Sequence, residues 1–559
     1  MTTLDAAKAW RDQDPDPVTR AELETIIEDA EAGDAAAVAA LHDRFDSRLA
    51  FGTAGLRGEL GAGSNRMNRV LVTQAAAGLA RFLLGRESHP SIVIGYDGRV
   101  NSDVFARDTA EIMAGAGVRA ILLPRMLPTP VLAFAVRHLG VSAGVMVTAS
   151  HNPPRDNGYK VYLGGRDHGS QIVSPVDAEI HEAIVDVAST TSIDQLPRSS
   201  EFEVSGEEVV DAYVAATASL APHGDGAAPR VPVPFVYTAL HGVGWEVAQR
   251  VFREAGFAEP TVVAEQIEPD GAFPTVAFPN PEEPGAMDLS YATATRAGAQ
   301  LIIANDPDAD RLAVAIPDAH AAEGWRRLSG NEVGALLGWR AAERLQREGR
   351  MAKLAASIVS SPALSEVAKA HGLSYSDTLT GFKWVSRVGG LAYGYEEALG
   401  YLVDPEKVRD KDGISAAVDL LALVGELAAE GRTLEDHQRA FDERFGAFAS
   451  AQVSLRVTDL ARIPAIMTAL RDAPPASING VRVSQVDDFI RGFGVFPASD
   501  ILRFWMEGGA RVIVRPSGTE PKVKVYIDAS STEGGVDERR AAAAAQVAVL
   551  EEGMRALIV

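Results

Sequence analysis

From about residue 46 onward, short apolar runs alternate with longer alanine-rich stretches. Ser91 to Tyr96 reads as a strand that stops at Asp97-Gly98-Arg99. Ala120 to Leu123 reads as a second strand, and Gly144 to Val147 as a third that stops at Thr148. Between them, Gln74 to Leu84 and Phe105 to Gly115 carry apolar residues at helical spacing. Short strand-like runs alternating with helix-like stretches predict an α/β sheet. Ahead of this region, residues 1 to 18 are polar and include Pro15 and Pro17, so a helix is expected to follow them. Thr19 with Glu22 three positions later reads as a capping box. Leu23, Ile26, Ile27 and Ala30 then share one face, and this N-terminal arm is expected to pack against the first domain.

The alternation resumes after each polar break. Residues 187 to 207 are rich in Ser and Thr and 221 to 234 in Pro and Gly, and both read as loops. Phe235 to Leu240 and Gln300 to Ala304 read as strands, the second running into an acidic loop. Ile358-Val359 and Leu391 to Tyr395 read as strands of a further unit, with a helix expected from Ile414. Strands near Gln452 to Val457, Arg511 to Val514 and Lys522 to Ile527 close the chain. The expected division is an N-terminal helical arm (1–45), an α/β domain with a serine loop (46–215), an α/β domain with an acidic loop (216–328), a third α/β domain (329–446) and a C-terminal domain (447–559). Three polar loops, 148–152, 305–310 and 396–400, fall at the C-terminal ends of predicted strands. Open α/β sheets bind ligands at those ends.

The totals narrow the chemistry. A chain of 559 residues is too long for one core, so several domains are expected. A net charge of −23 disfavours nucleic acid and anionic membrane as partners, while leaving room for a local basic pocket. The absence of cysteine excludes disulfides, thiolate metal sites and cysteine nucleophiles. The first residues lack a basic-then-apolar signal pattern and no apolar run is long enough to span a bilayer, so a cytoplasmic location is expected.

Four loops carry groups suited to phosphate chemistry. The first, T-A-S-H-N-P-P-R-D-N-G-Y-K from Thr148 to Lys160, sets Ser150 just past a strand. Pro153 and Pro154 stiffen the turn, and His151 and Lys160 supply protons or positive charge. A serine hydroxyl is a weak nucleophile unless a base or a resident phosphoryl group assists it. The second, N-D-P-D-A-D-R from Asn305 to Arg311, offers three carboxylates at alternate positions. Oxygen ligands without His or Cys indicate Mg²⁺ or Ca²⁺. A calcium EF-hand fails, because its sixth and twelfth positions here are Arg311 and Pro317 and a strand follows. The third, G-Y-E-E-A-L-G from Gly394 to Gly400, has two adjacent carboxylates that suit vicinal sugar hydroxyls. The fourth, R-P-S-G-T-E-P-K from Arg515 to Lys522, combines the Arg515 fork with Ser517, Thr519 and backbone N–H groups around Gly518. Arg57 sits on the glycine-rich turn F-G-T-A-G-L-R-G, and Lys383 in T-L-T-G-F-K-W is a candidate acid or base.

Together these segments resemble the α-D-phosphohexomutase family, over most of the chain from about Phe51. The resemblance implies a fold of four domains around a central cleft, three related α/β units with mixed sheets and a smaller α+β C-terminal domain. It implies an isomerase in which Ser150 carries the phosphoryl group and Asp306, Asp308 and Asp310 bind Mg²⁺ with a phosphoserine oxygen. It implies that Glu396 and Arg311 contact the sugar phosphate, and that Arg515, Ser517, Gly518 and Thr519 hold the phosphate not being transferred. Arg57, His151, Lys160 and Lys383 look like the basic surround of the reacting phosphate. Two departures stand out: Ala398 replaces the serine of a Glu-x-Ser pattern, and Phe382-Lys383 replaces a histidine after Thr-Gly. The form G-F-K-W with E-E-A-L-G looks like the glucose- and pentose-type branch.

The implied reaction interconverts glucose 1-phosphate and glucose 6-phosphate, with glucose 1,6-bisphosphate as intermediate and activator. Mannose or pentose phosphates are the alternatives on the same scaffold, and the protein is expected as a monomer or homodimer. Lys160 is the first choice of base, a role that requires a depressed pKa. A phosphatase with Asp306 as nucleophile normally shows D-x-D-x-[TV], whereas the fifth position here is Asp310. A non-catalytic sugar-phosphate sensor is the other rival, and retention of Ser150 with all three aspartates speaks against it.

Overall fold

The computed structural model describes residues 2–52, 55–224, 228–457, 459–517 and 522–558. It divides into two compact units, Met1–Leu328 with Gly400–Glu426, and Ser329–Leu399 with Leu427–Val559.

The first unit holds two mixed sheets built on one plan. In the first sheet, strands Ala143–Val147, Ser91–Tyr96, Arg119–Leu122 and Glu203–Val204 run parallel. Asp156–Leu163 returns antiparallel beside Ala143–Val147, and Leu56–Glu59 pairs antiparallel beyond it. In the second sheet, Leu301–Asn305, Phe235–Thr238 and Thr261–Val262 are parallel, and Leu312–Pro317 returns antiparallel beside Leu301–Asn305. In both sheets the polar loop is therefore the connection between a central strand and its antiparallel return. Fully buried strands read as apolar runs, Ala143–Val147 throughout and Leu301–Asn305 up to Asn305, because both of their faces are withdrawn from water.

Helix Arg69–Arg86 supplies much of the first core, with Leu71, Leu79 and Leu83 packed among Ile92, Ile94, Val145 and Val147. Each such aliphatic side chain contributes about 1.5–3 kcal/mol on burial. Helix Val176–Thr190 carries the apolar face Ile180, Ile184 and Val187, so it extends into the segment expected as loop. Within that segment Glu203–Val204 also adds an edge strand to the sheet.

The N-terminal arm corrects two expectations. Its first helix is Thr3–Gln13, earlier than expected, with a capping box between Thr2 and Asp5. The second helix, Pro17–Glu31, starts before Thr19. Asp16 caps it by accepting from Val18 N, and Pro17 stands in the first turn, where its missing N–H costs nothing. Thr19 lies inside the helix and donates to Asp14 Oδ2 at 2.7 Å. Glu22 is therefore free of any capping role. It accepts from Arg44 Nη2 at 2.7 Å and from Ala62 N at 2.9 Å. Ala7, Trp10, Leu23, Ile27 and Leu41 form one cluster with Ala62, Val70 and Ile193, which joins the arm to the first sheet domain. Glu22→Ala leaves the Ala62 N–H without its acceptor, and a loss of about 1–3 kcal/mol is expected. The urea midpoint of the first unfolding transition measures it, and an unmoved midpoint would refute that role for Glu22.

The second unit holds the parallel strands Ser374–Thr378, Lys353–Ser357 and Leu391–Glu396. It also holds an antiparallel sheet in the order Ala447–Arg456, Lys522–Ser531, Arg511–Pro516, Leu502–Met506, Val481–Asp488 and Ser477–Ile478. Ile358, Val359 and Leu379 pack with Ile501, Ile513 and Tyr526, which joins the two sheets through an apolar cluster. Among the described residues, no helix is long and apolar enough to cross a membrane.

Candidate active site

Strand Ala143–Val147 delivers the chain to Thr148, whose Oγ1 accepts from Ser150 N at 2.8 Å. Ser150 then takes φ = 53°, a left-handed conformation uncommon for a residue with a Cβ. Its hydroxyl is buried, donates to Asp306 Oδ2 at 2.9 Å and lies 3.1 Å from His151 Nδ1. The hydroxyl proton thus has two nearby acceptors. Burial, then the charges of Arg311 and Arg57, push His151 well below the usual histidine range, so it is neutral at pH 7.

Asp306, Asp308 and Asp310 follow strand Leu301–Asn305 and are fully buried. Ala309 at φ = 55° curls the loop, and one oxygen from each carboxylate lies within 4.8 Å of the others. Asn305 Nδ2 closes the turn on Arg311 O at 2.7 Å, and Arg311 N donates to Asp306 Oδ1 at 3.0 Å. The helix Gly413–Ala429 begins beneath this loop, where Gly413 is required because a Cβ there would meet Arg311 O at 2.2 Å.

Three cations face the three carboxylates. Lys160 Nζ donates to Asp308 Oδ2 at 2.7 Å and Asp310 Oδ2 at 2.9 Å. Lys411 Nζ is 3.1 Å from Asp310, and Arg311 Nε is 3.9 Å from Asp306 and 4.0 Å from Asp310. Burial, followed by Asp308 and Asp310, raises Asp306 well above the carboxylate range. Burial alone would raise Asp310 too, but Lys160, Lys411 and Arg311 outweigh it and hold Asp310 far below that range. Lys160 shows the converse balance. Burial favours its neutral form, yet Asp308, Asp310 and Asp410 prevail and raise its pKa. The depressed pKa that a base requires is therefore not what this arrangement gives Lys160, because two carboxylates grip its ammonium.

Asp308 Oδ1 and Asp310 Oδ1 are buried without a hydrogen-bond partner. Buried carboxylate oxygens seldom stay unpaired. An oxygen-only set with two open acceptors suits a hard divalent cation such as Mg²⁺.

Arg57 lies on strand Leu56–Glu59, in register with Gly158 two positions before Lys160. Gly55, at φ = 75°, permits the close pairing, since a Cβ there would meet Tyr159 O at 1.8 Å. Arg57 Nη1 donates to Asn152 Oδ1 at 3.1 Å, and burial lowers its pKa against the attraction of Asp308.

The remaining candidates lie in the second unit. Glu396 ends strand Leu391–Glu396 and its Oε1 accepts from Gly381 N at 2.6 Å, beside the helical turn Phe382–Val385 that carries Lys383. Glu397 Oε2 accepts from Ser357 and Ser360 hydroxyls at 3.0 and 3.1 Å, so the second carboxylate of the pair is held by the protein itself. Arg515 is on strand Arg511–Pro516, and burial, followed by Glu397, raises the Tyr526 pKa against the charge of Arg515. Ser517 N donates to Lys522 O at 2.8 Å. Gly518 and Thr519 lie outside the described residues.

Family models for phosphoglucomutase/phosphomannomutase match in order along the chain. The α/β/α domains I, II and III match residues 48–190, 211–319 and 329–444, and the C-terminal domain matches 453–546. The chain belongs to the phosphoglucomutase/phosphomannomutase family. It is 56% identical to a probable phosphomannomutase of Haemophilus influenzae, over 88% of this chain and 98% of that one. It is 34% identical to the human phosphopentomutase, over 88% and 87%, and 33% identical to a Staphylococcus aureus phosphoglucomutase, over 87% and 90%. A putative phosphomannomutase from Thermus thermophilus has the same fold, with a TM-score of 0.66, 24% identity and coverage of 92% and 99%.

As a member of this family the protein is a phosphomutase, an isomerase that moves a phosphoryl group within a sugar phosphate. Sequence reading missed three residues at the phosphomutase site. Thr129 Oγ1 donates to Asp308 Oδ2 at 2.6 Å, and its N donates to Asp308 O at 2.9 Å. Lys411 was legible only as part of a helix lead-in, although a lysine between Asp410 and Asp412 is a signal for an ion-pair network. Arg99 was legible only as the end of a strand. It binds Ser150 O at 2.6 Å and three other carbonyls of the same loop.

Proposed function

We propose that this phosphomutase works through a phosphoserine at Ser150 and interconverts glucose 1-phosphate and glucose 6-phosphate. The observation that carries the reading is the Ser150 hydroxyl at 2.9 Å from Asp306, the first of three clustered buried carboxylates, of which Asp308 and Asp310 each keep an open oxygen acceptor. Asp306, Asp308 and Asp310 would hold Mg²⁺ next to Ser150, and the ion would neutralise charge on the transferring oxygens.

The protein's own groups account for the rest. The sugar 6-hydroxyl oxygen bonds to phosphorus as the bond from phosphorus to Ser150 Oγ breaks. The 6-hydroxyl gives up its proton and Ser150 Oγ gains one, so the hydroxyl of the present structure is restored. The bisphosphate, glucose 1,6-bisphosphate, then presents its other phosphate, and the same exchange runs in reverse at position 1. The activating role of added bisphosphate follows, because it phosphorylates Ser150. Arg57 and Arg311 supply positive charge around His151 and the carboxylate loop, and His151, neutral before a phosphate arrives, can exchange a proton with Ser150 Oγ at 3.1 Å. Lys160 remains the candidate base under one condition. Asp308 and Asp310 must be neutralised by another cation before its ammonium gives up a proton readily. Glu396 with Lys383, and Arg515 with Ser517, Gly518 and Thr519, are assigned to the sugar hydroxyls and the non-transferred phosphate.

The glucose assignment rests on Phe382-Lys383 and on the loop Glu396-Glu397-Ala398. The reading for mannose is favoured by the name of the 56% identical relative. Rates on glucose, mannose, glucosamine and ribose 1-phosphates decide between them. Glucose 1-phosphate is expected to give the highest kcat/KM, by about tenfold or more over mannose 1-phosphate, the scale of one or two polar contacts. A higher value for mannose or ribose 1-phosphate reassigns the sugar and leaves the phosphoserine reading intact.

A further inference from the structure

Ser150 sits in a loop, Thr148 to Asp156, whose carbonyls turn inward onto one side chain. Arg99 Nη1 donates to Pro153 O at 2.9 Å and Asp156 O at 3.0 Å. Its Nη2 donates to Ser150 O at 2.6 Å and Asn152 O at 2.5 Å. A guanidinium carries four hydrogens on its two terminal nitrogens, and here four carbonyls receive them. The Nε faces Asp97 Oδ2 at 3.6 Å, and Asp97 Oδ1 is fixed by Ser102 Oγ at 2.7 Å. On its flat side the guanidinium lies 4.9 Å from the Phe273 ring centroid, so the loop around Phe273 presses against the clamp. The Arg99 side chain is 1% exposed.

We propose that Arg99 is the positioning residue that holds Ser150 Oγ in line for phosphoryl transfer, an inference that rests on the phosphoserine reading. Two features of the loop require such a clamp. Ser150 is in a left-handed conformation that a residue with a Cβ keeps only when its surroundings enforce it. Arg99 also donates to the carbonyl of buried Ser150 and to those of Asn152 and Asp156, while Pro153 O accepts from Asp156 N as well, at 3.0 Å. Arg99 touches none of the reacting atoms and acts only through the backbone that carries Ser150. A lysine cannot substitute, because its three hydrogens diverge from one point and cannot serve four acceptors spread along a planar fork.

The test uses the full-length enzyme with Mg²⁺, glucose 1-phosphate and a trace of glucose 1,6-bisphosphate. Phosphate on Ser150 is followed by intact mass, inorganic phosphate release by a coupled assay, and folding by thermal denaturation. In Arg99→Lys, kcat is expected to fall about 10²-fold with KM within about threefold, the cost of a nucleophile displaced by roughly an ångström. Phosphate released per turnover is expected to rise, because a displaced phosphoserine is open to water. Phe273→Leu keeps the carbonyl bonds and loosens the stack, and a kcat loss of about threefold to tenfold is expected. This second variant serves if Arg99→Lys does not fold. An unchanged kcat in whichever folded variant is measured, or a loss that merely tracks the unfolded fraction, overturns the inference while wild type still carries phosphate on Ser150. A wild type that turns over without phosphate on Ser150 overturns the phosphoserine reading and this inference with it.

Discussion

Ser150→Ala is expected to lower mutase turnover by at least about 10⁴-fold, the scale seen when a covalent nucleophile is removed. The fold should hardly notice. The variant loses one hydrogen bond to Asp306 and one contact with His151, and keeps the Arg99 clamp, which grips this loop through backbone carbonyls and not through the Ser150 side chain. A stability change within about 1 kcal/mol is expected. Loss of turnover with unchanged thermal unfolding therefore isolates the chemistry. The phosphate bond type supplies an independent check. Incubation with glucose 1,6-bisphosphate should leave a phosphate on the wild type that resists hydroxylamine and is absent from the variant. A hydroxylamine-labile phosphate would mean an acyl phosphate, with Asp306 the natural suspect, since its carboxylate lies next to Ser150. Near-normal turnover in Ser150→Ala would remove the serine from the mechanism altogether.

The sheet pattern and the loop chemistry were legible because both are local. Strands Ser91–Tyr96 and Leu301–Asn305 have apolar centres, Ile92 to Ile94 and Leu301 to Ala304, and the polar loops that follow them break the pattern abruptly. The sequence puts Ser150 and Asp306 at two strand ends, and folding brings them within 2.9 Å across 156 positions. What was not legible depends on partners far apart in the chain. Arg99 is an ordinary arginine until the carbonyls of residues 150 to 156 converge on it. Thr129 precedes a proline like many helix starts, and only the structure shows it holding Asp308 by both side chain and backbone. The capping box at Thr19 failed for a different reason. Asp16-Pro17 is the stronger start signal, and Glu22 was drawn to Arg44 and Ala62 instead. The ion pairs of Lys160, which set the condition on its role as base, were not legible because sequence shows a lysine near an acidic loop but not which carboxylates it will grip.

Asp306→Asn should separate what the carboxylate cluster does for the fold from what it does for the reaction. Asp306 has a raised pKa because it is buried beside Asp308 and Asp310. Between the unfolded value, about 4, and that raised value, the folded chain binds more protons than the unfolded chain. Stability in the metal-free protein therefore falls as pH rises through this window. Asp310 adds no slope there, since its folded pKa is depressed and it stays ionised. His151, 4.0 Å from Asp306, has a lowered pKa and so contributes a slope of the opposite sign. In chelator at pH 7, Asp306→Asn should thus be as stable as wild type or more so. The amide oxygen can still accept from Arg311 N, and its NH₂ can face Ser150 Oγ, which turns its own proton to His151. Added Mg²⁺ should reverse the order. Wild type should gain thermal stability with increasing Mg²⁺, more strongly at higher pH as the competing proton leaves Asp306. The variant should gain little and lose turnover by about 10²-fold or more, the scale of removing a charged ligand from a phosphoryl-transfer metal. A variant destabilised in chelator, or one that keeps the wild-type response to Mg²⁺, would show that the three carboxylates are held together for some other purpose.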